Sequence, residues 1–263
     1  MDHGNNGSIP DNLVRRTPWP ASVSRAVVTP LQPSVVYASA DPTQLDAQYG
    51  GQVAGYTYAR EGHPNATVLA HKIDALEGAP APGEGLIVSS GMAAVTAVLM
   101  GLLKSGDHVV AGVQLYGRSL RLISRDLQRF GVTSTLADPT DANAVAAAIR
   151  PETRLVLIEV VSNPTLRVAD LDAIVAVAHK HGVKVAVDNT FTTPRGLRPF
   201  EHGADIVLHS VTKILAGHAD VTLGYVATRD PADRKAVYDF AVTTGMTGSP
   251  FDCWLAERGL YSF

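Results

Sequence analysis

The 263-residue chain is 46% hydrophobic and 18% charged, with a formal net charge of −3, the balance of an ordinary globular protein long enough to bury a core without staples. It lacks the basic excess of a nucleic-acid binder. Its one cysteine, Cys253, excludes an intrachain disulfide or thiolate cluster and is expected to be buried as a small hydrophobe.

The polar start, residues 1–12, has no signal-peptide core, and no apolar run approaches the roughly 18 to 20 residues that span a bilayer. The expectation is a cytoplasmic protein with neither membrane nor polynucleotide partners. Residues 1 to about 55 are rich in Pro, Ser, Asn and Gly, which predicts an extended arm rather than a packed layer. From Ala66 onward, apolar segments of strand length alternate with helical ones. Strands are predicted at Leu86 to Val88, His108 to Ala111, Val132 to Leu136, Arg154 to Val160, Val183 to Val187, Asp205 to Leu208 and Val221 to Ala227. Near-continuous β-branched runs suit strands covered on both faces, and alternation with helices implies right-handed crossovers in a mostly parallel sheet. Between them, Leu120, Ile123, Leu127 and Phe130 make a helical stripe closed by Gly131. Leu171, Ile174, Val175 and Ala178 make another, ended by Gly182. The loop of residues 78–85 (GAPAPGEG) precedes the first strand. The nine histidines show no HExxH spacing, so no metal site is expected.

Ligands of open α/β sheets bind beyond the carboxyl ends of the strands, so the polar residues there carry the chemistry. After the first strand, Ser90-Gly91-Met92 leads into an Ala-rich helix. Unpaired N–H groups at that turn suit a phosphate, although taken alone the turn is more simply explained by capping by Ser90. The strand ending at Val187 runs into Asp188-Asn189-Thr190, where the carboxylate is a loop cap, a metal ligand, a base or the partner of a cationic ring. The next strand ends in Ser210-Val211-Thr212-Lys213, a lysine flanked by hydroxyls that is either a solvated surface group or a Schiff-base amine. Amine, carboxylate and anion seat on one edge are the three needs of a pyridoxal 5′-phosphate (PLP) enzyme. No GxGxxG or Walker fingerprint is present, which disfavours a nucleotide-binding dehydrogenase or transferase.

These segments, with Leu215-Ala216-Gly217-His218, Tyr56-Thr57-Tyr58-Ala59-Arg60, Leu115-Tyr116-Gly117, Ser162-Asn163-Pro164-Thr165 and Ser249-Pro250-Phe251-Asp252, resemble the Cys/Met metabolism PLP-dependent enzymes, from about residue 25 to the end. The resemblance implies a PLP-dependent transferase fold type I large domain, with helices on both sheet faces. Its layout would be an arm over 1–60, a PLP-binding domain over 61–250, and the start of a linking helix over 251–263. It also implies that Lys213 is the Schiff-base lysine, that Asp188 pairs with the pyridinium nitrogen, and that Gly91, Met92, Ser210 and Thr212 hold the phosphate. Tyr116 would stack on the ring and assist proton transfer. Asn163 would lie near the ring hydroxyl or the substrate carboxylate, and Thr190 would support the ring face or merely pack. Tyr58 and Arg60 would reach the phosphate of a neighbouring subunit in a homodimer or homotetramer. The implied activity is γ-elimination or γ-replacement on cystathionine or an O-acyl-homoserine, ahead of a methionine γ-lyase or an O-acetylhomoserine sulfhydrylase.

The chain departs from the family at His63-Pro64-Asn65, where Asn-Pro-Thr is common, and at Ile214, Ala219 and Arg118. Relatives continue into a C-terminal small domain beyond the position of Phe263, so that domain is expected to be missing. The alternative reading is accordingly a non-catalytic or truncated PLP-fold module that keeps cofactor binding and oligomer contacts.

Overall fold

Every predicted strand is present in the computed structural model, which describes residues 20–263. The polar start of the chain and the first part of the arm lie outside the described residues. The strands are β1 (Leu86–Val88), β2 (His108–Gly112), β3 (Thr133–Ala137), β4 (Thr153–Glu159), β5 (Lys184–Asp188), β6 (Ile206–Ser210) and β7 (Gly224–Thr228). They form one sheet in the order β1-β7-β6-β5-β4-β2-β3. The pairings among β2 to β6 are parallel, whereas β7 runs antiparallel to both β1 and β6. The mostly parallel α/β expectation therefore holds. Residues 31–263 make one compact unit.

Alternation within the strands explains their unbroken apolar runs. In β4, Val156 and Ile158 face one core while Leu155 and Leu157 face the other; in β5, Val185 and Val187 oppose Ala186. A strand sandwiched this way has no solvent face to mark with polar residues. One core is closed by the helices Pro64–Glu77, Leu171–Lys180 and Pro250–Gly259, the other by Gly91–Leu102 and Pro231–Thr243. The Leu171–Lys180 helix buries its predicted stripe of Leu171, Ile174, Val175 and Ala178. Its N-terminus is capped by Asp170, which accepts from the Ala173 N–H at 3.2 Å, and Gly182 follows its end at φ +68. Each large side chain so buried stabilises the fold by about 1.5–3 kcal/mol, and truncating Ile174 to Ala would cost about 2–5 kcal/mol. Cys253 is fully buried, as expected.

Two stretches differ from the sequence reading. The stripe through Leu120 to Phe130 is not one helix. An α-turn (Gly117–Arg121) passes into a π-helical turn (Leu122–Asp126) and then a 3₁₀ turn (Leu127–Phe130). Ile123 and Leu127 are buried as predicted, but the wider π-turn changes the rotation per residue and leaves Phe130 exposed. Within the arm, Pro42–Tyr49 is helical, capped by Asp41 and with proline in its first turn. None of its residues is buried, so it adds no layer.

Candidate active site

The parallel strands β4, β5 and β6 end side by side, with Glu159 of β4 in register with Asp188 of β5, and Asp188 with Leu208 of β6. Beyond these ends opens a cavity of about 760 Å³. Of the site residues singled out from sequence, Gly91, Met92, Tyr116, Asn163, Asp188, Thr190, Ser210, Thr212 and Lys213 all line it. Tyr58 and Arg60 do not. Arg60 donates to the Val242 carbonyl at 3.2 Å and lies 5.6 Å over the Tyr58 ring, outside the cavity of its own chain.

Of the two readings of this turn, the cap is seen directly. Ser90 caps the helix Gly91–Leu102 by accepting from the Ala93 N–H at 3.0 Å. The N–H groups of Gly91 and Met92 precede the first intrahelical bond, from the Ala94 N–H to the Ser90 carbonyl, and both residues line the cavity at the positive end of the helix dipole. Gly91 is required here by close approach: a Cβ would stand 2.5 Å from the Ser210 Cβ. Gly224, which opens β7, is tighter still, since a Cβ would lie 2.1 Å from the Ser90 carbonyl oxygen. It pairs with Val88 on one side and Ser210 on the other. The two hydroxyls of the cradle are not equivalent. Thr212 donates to the Leu223 carbonyl at 3.2 Å and accepts from the Leu223 N–H at 3.0 Å. The Ser210 hydroxyl has no such commitment among the described residues.

Asp188 is oriented by Thr190. The Thr190 hydroxyl accepts from the Ser210 N–H at 2.7 Å and donates to Asp188 Oδ1 at 2.5 Å, while the Thr190 N–H donates to the same oxygen at 3.1 Å. One hydroxyl thus ties the ends of β5 and β6 together, so Thr190 does more than pack. Burial nevertheless raises the Asp188 carboxyl above its usual range, against the Thr190 bonds and the charge of His209.

The residue that sequence reasoning missed is Glu159. It lines the cavity and accepts from the Tyr116 N–H at 2.8 Å and from the backbone of Asn163, so one carboxylate anchors both residues. Burial first, and then the neighbouring Asp188, push it up to about 7. The signal was available: Glu159 is the polar residue ending β4, but a strand read through to Val160 hid it. Phe191, directly after Thr190, also lines the cavity.

The donor set suits PLP. Lys213 Nζ makes no hydrogen bond or ion pair among the described residues although it shares the cavity with two carboxylates. Asp188 could hold a pyridinium proton, and the Gly91 and Met92 N–H groups with the Ser210 hydroxyl make a seat for a dianion. Among the described residues no cluster of three or more His, Cys, Asp or Glu is arranged to hold a metal ion. No described helix is long and apolar enough to cross a membrane.

Sheet order and strand-end chemistry together define a fold type I PLP-dependent protein. The chain belongs to the Cys/Met metabolism PLP-dependent enzyme family, whose profile matches residues 12–263. It is 39% identical over 236 residues to an L-methionine gamma-lyase of Porphyromonas gingivalis, covering 89% of this chain and 58% of that protein. It is 43% identical over 210 residues to a cystathionine gamma-lyase of Bacillus subtilis, covering 80% and 54%. A crystal structure of cystathionine gamma synthase from Xanthomonas oryzae pv. oryzae in complex with cystathionine superposes with a TM-score of 0.82 at 37% identity, over 90% of this chain and 58% of that one. The chain thus spans somewhat more than half the length of these relatives.

Proposed function

We propose that this chain forms the PLP-binding part of an enzyme of sulfur amino-acid metabolism that eliminates or replaces the γ-substituent of cystathionine or an O-acyl-homoserine. The observation that carries the reading is that the Lys213 amine, the Asp188 carboxylate and the Gly91–Ser210 cradle open onto one cavity. Residues 61–250 would be the cofactor-binding domain and 251–263 the lead into a linking helix, in a cytoplasmic enzyme. Tyr58 and Arg60, lying outside their own chain's cavity, would complete the phosphate seat of a second subunit in at least a homodimer, a task to which the guanidinium fork is suited.

When bound, PLP supplies an electron sink for bonds at the amino-acid carbons. The protein's part is positional and acid–base. The Gly91 and Met92 N–H groups and the Ser210 hydroxyl would bind the phosphate, and Asp188, aimed by Thr190, would hold a proton on the ring nitrogen. Tyr116 would stack on the ring and assist proton transfer, and Asn163 would lie near the ring hydroxyl or the substrate carboxylate, both anchored through Glu159. Lys213 Nζ would hold the cofactor and then act as the base for the substrate Cα proton.

The test is optical. Purified protein mixed with PLP should develop a visible band that borohydride makes permanent at Lys213, and Lys213→Ala should lack it. Release of α-keto acid and a thiol from cystathionine or methionine, or formation of a thioether and acetate from O-acetylhomoserine and added cysteine, then identifies the reaction. A colourless protein refutes the reading, and a coloured one without turnover leaves a cofactor-binding module.

A further inference from the structure

Asp188 and Ser210 face the cavity, but the residues beside them in sequence turn to a different partner. Asn189 Nδ2 donates to Glu77 Oε1 at 2.9 Å and to the Leu197 carbonyl at 2.9 Å, and His209 Nε2 bonds to the same Glu77 oxygen. All three side chains are fully buried. One carboxylate, at the last turn of the helix Pro64–Glu77, therefore grips the ends of both strands that carry the site. Around it, the His209 ring packs 5.9 Å from Tyr225, whose hydroxyl donates to Asp74 at 2.5 Å.

As a purely structural device this arrangement is poor. A buried carboxylate costs several kcal/mol unless fully bonded, and a helix C-terminus disfavours an anion further. Glu77 Oε2, Asn189 Oδ1 and His209 Nδ1 are also buried with no hydrogen-bond partner among the described residues. Apolar residues of similar volume would stabilise the core more. Groups that break the rules of burial beside a site are expected to serve it.

We propose that Glu77, His209 and Asn189 form a positioning network that fixes Asp188 and Ser210 from behind the sheet and so sets the affinity and optical signature of bound PLP. The inference rests on the PLP-binding reading above. Its reach to Asp188 and Ser210 is mechanical, through the backbone of the two strand ends that Asn189 and His209 hold to Glu77.

The variants Glu77→Gln and His209→Gln keep side-chain size and hydrogen-bonding capacity. The control is His108→Gln, a histidine equally buried in the same sheet and bonded at 2.8 and 2.9 Å to Thr153 and Thr135 on β4 and β3, away from the cavity. PLP affinity, the absorption maximum and induced circular dichroism of the bound cofactor, and the Tm of the PLP-free protein are measured for each. A positioning role predicts that both site variants weaken PLP binding roughly tenfold, the low end of what loss of an outer-shell partner costs in metal sites, and alter the dichroic band. His108→Gln should lower only Tm. Parent-like affinity and spectra in the two variants, with only Tm reduced, would overturn the proposal. If His209→Gln does not fold, Glu77→Gln decides. If neither folds while His108→Gln does, the role is structural and the proposal fails. An unsubstituted protein that binds no PLP defeats instead the reading on which it rests.

Discussion

Replacing Glu159 with Gln should make the PLP-free protein more stable, and increasingly so as pH rises. A carboxyl held up to about 7 rather than near its ordinary 4.5 keeps its proton in the folded state over a range where the unfolded chain has lost it. The sign follows from proton counting: between 4.5 and 7 the folded state binds more protons, so stability falls as pH climbs through that window. At about 1.4 kcal/mol per pH unit, the ionised group costs up to about 3 kcal/mol above pH 7. Water in the open cavity screens part of this, leaving roughly 1–3 kcal/mol. Gln keeps a carbonyl acceptor for the N–H groups of Tyr116 and Asn163 and removes the like charge facing Asp188. The assay is urea unfolding of parent and variant at pH 5 and pH 8. The stability gain should be small at pH 5 and largest at pH 8. A gain that is flat with pH, or a loss that grows with it, would refute the assignment of a strained carboxylate at this position.

Gly91→Ala would place a methyl 2.5 Å from the Ser210 Cβ. The backbone must shift, costing about 1–3 kcal/mol where Ala in an open helix would gain, so denaturant unfolding gives the sign and PLP titration should show the cradle lost. Thr190→Val leaves the Ser210 N–H without its acceptor and Asp188 with only the Thr190 N–H as donor, a loss of about 1–3 kcal/mol. Isothermal titration with PLP should show weaker binding while the helix content stays unchanged. His63 caps the helix Pro64–Glu77, accepting from the Ala66 N–H at 3.2 Å, and its other nitrogen bonds to the Gly248 carbonyl at 3.0 Å. Burial lowers it from its ordinary 6.5, so the unfolded chain takes up the proton first and stability falls as pH drops through 6.5. His63→Asn keeps a capping acceptor without titrating, and Tm measured from pH 7.5 to 5 should decline less steeply than in the parent.

Strands were legible because burial on both faces demands unbroken β-branched runs, and the strand-end rule then led to Asp188, Ser210 and Lys213. Position after a strand also supplied Ser90 as a cap, whereas the close approach that requires glycine at 91 shows only once Ser210 is beside it. What stayed hidden depends on pairings that no local pattern records. Thr190 looks like any loop threonine until the Ser210 N–H meets its oxygen. Glu77 belongs to a helix more than a hundred residues before His209, and only the folded sheet brings them together. The π-turn at Leu122–Asp126 interrupts a stripe whose spacing fits an α-helix, because the sequence shows where apolar residues fall but not where the backbone takes in an extra one.

β7 lies between β1 and β6, so the turn that follows β1 and the serine that ends β6 are neighbours across a strand from much later in the chain. Gly224 is the residue of that strand that pairs with both Val88 and Ser210, and its missing side chain leaves room for the Ser90 carbonyl. A side chain at 224 would push these two edges apart without touching Lys213 or Asp188.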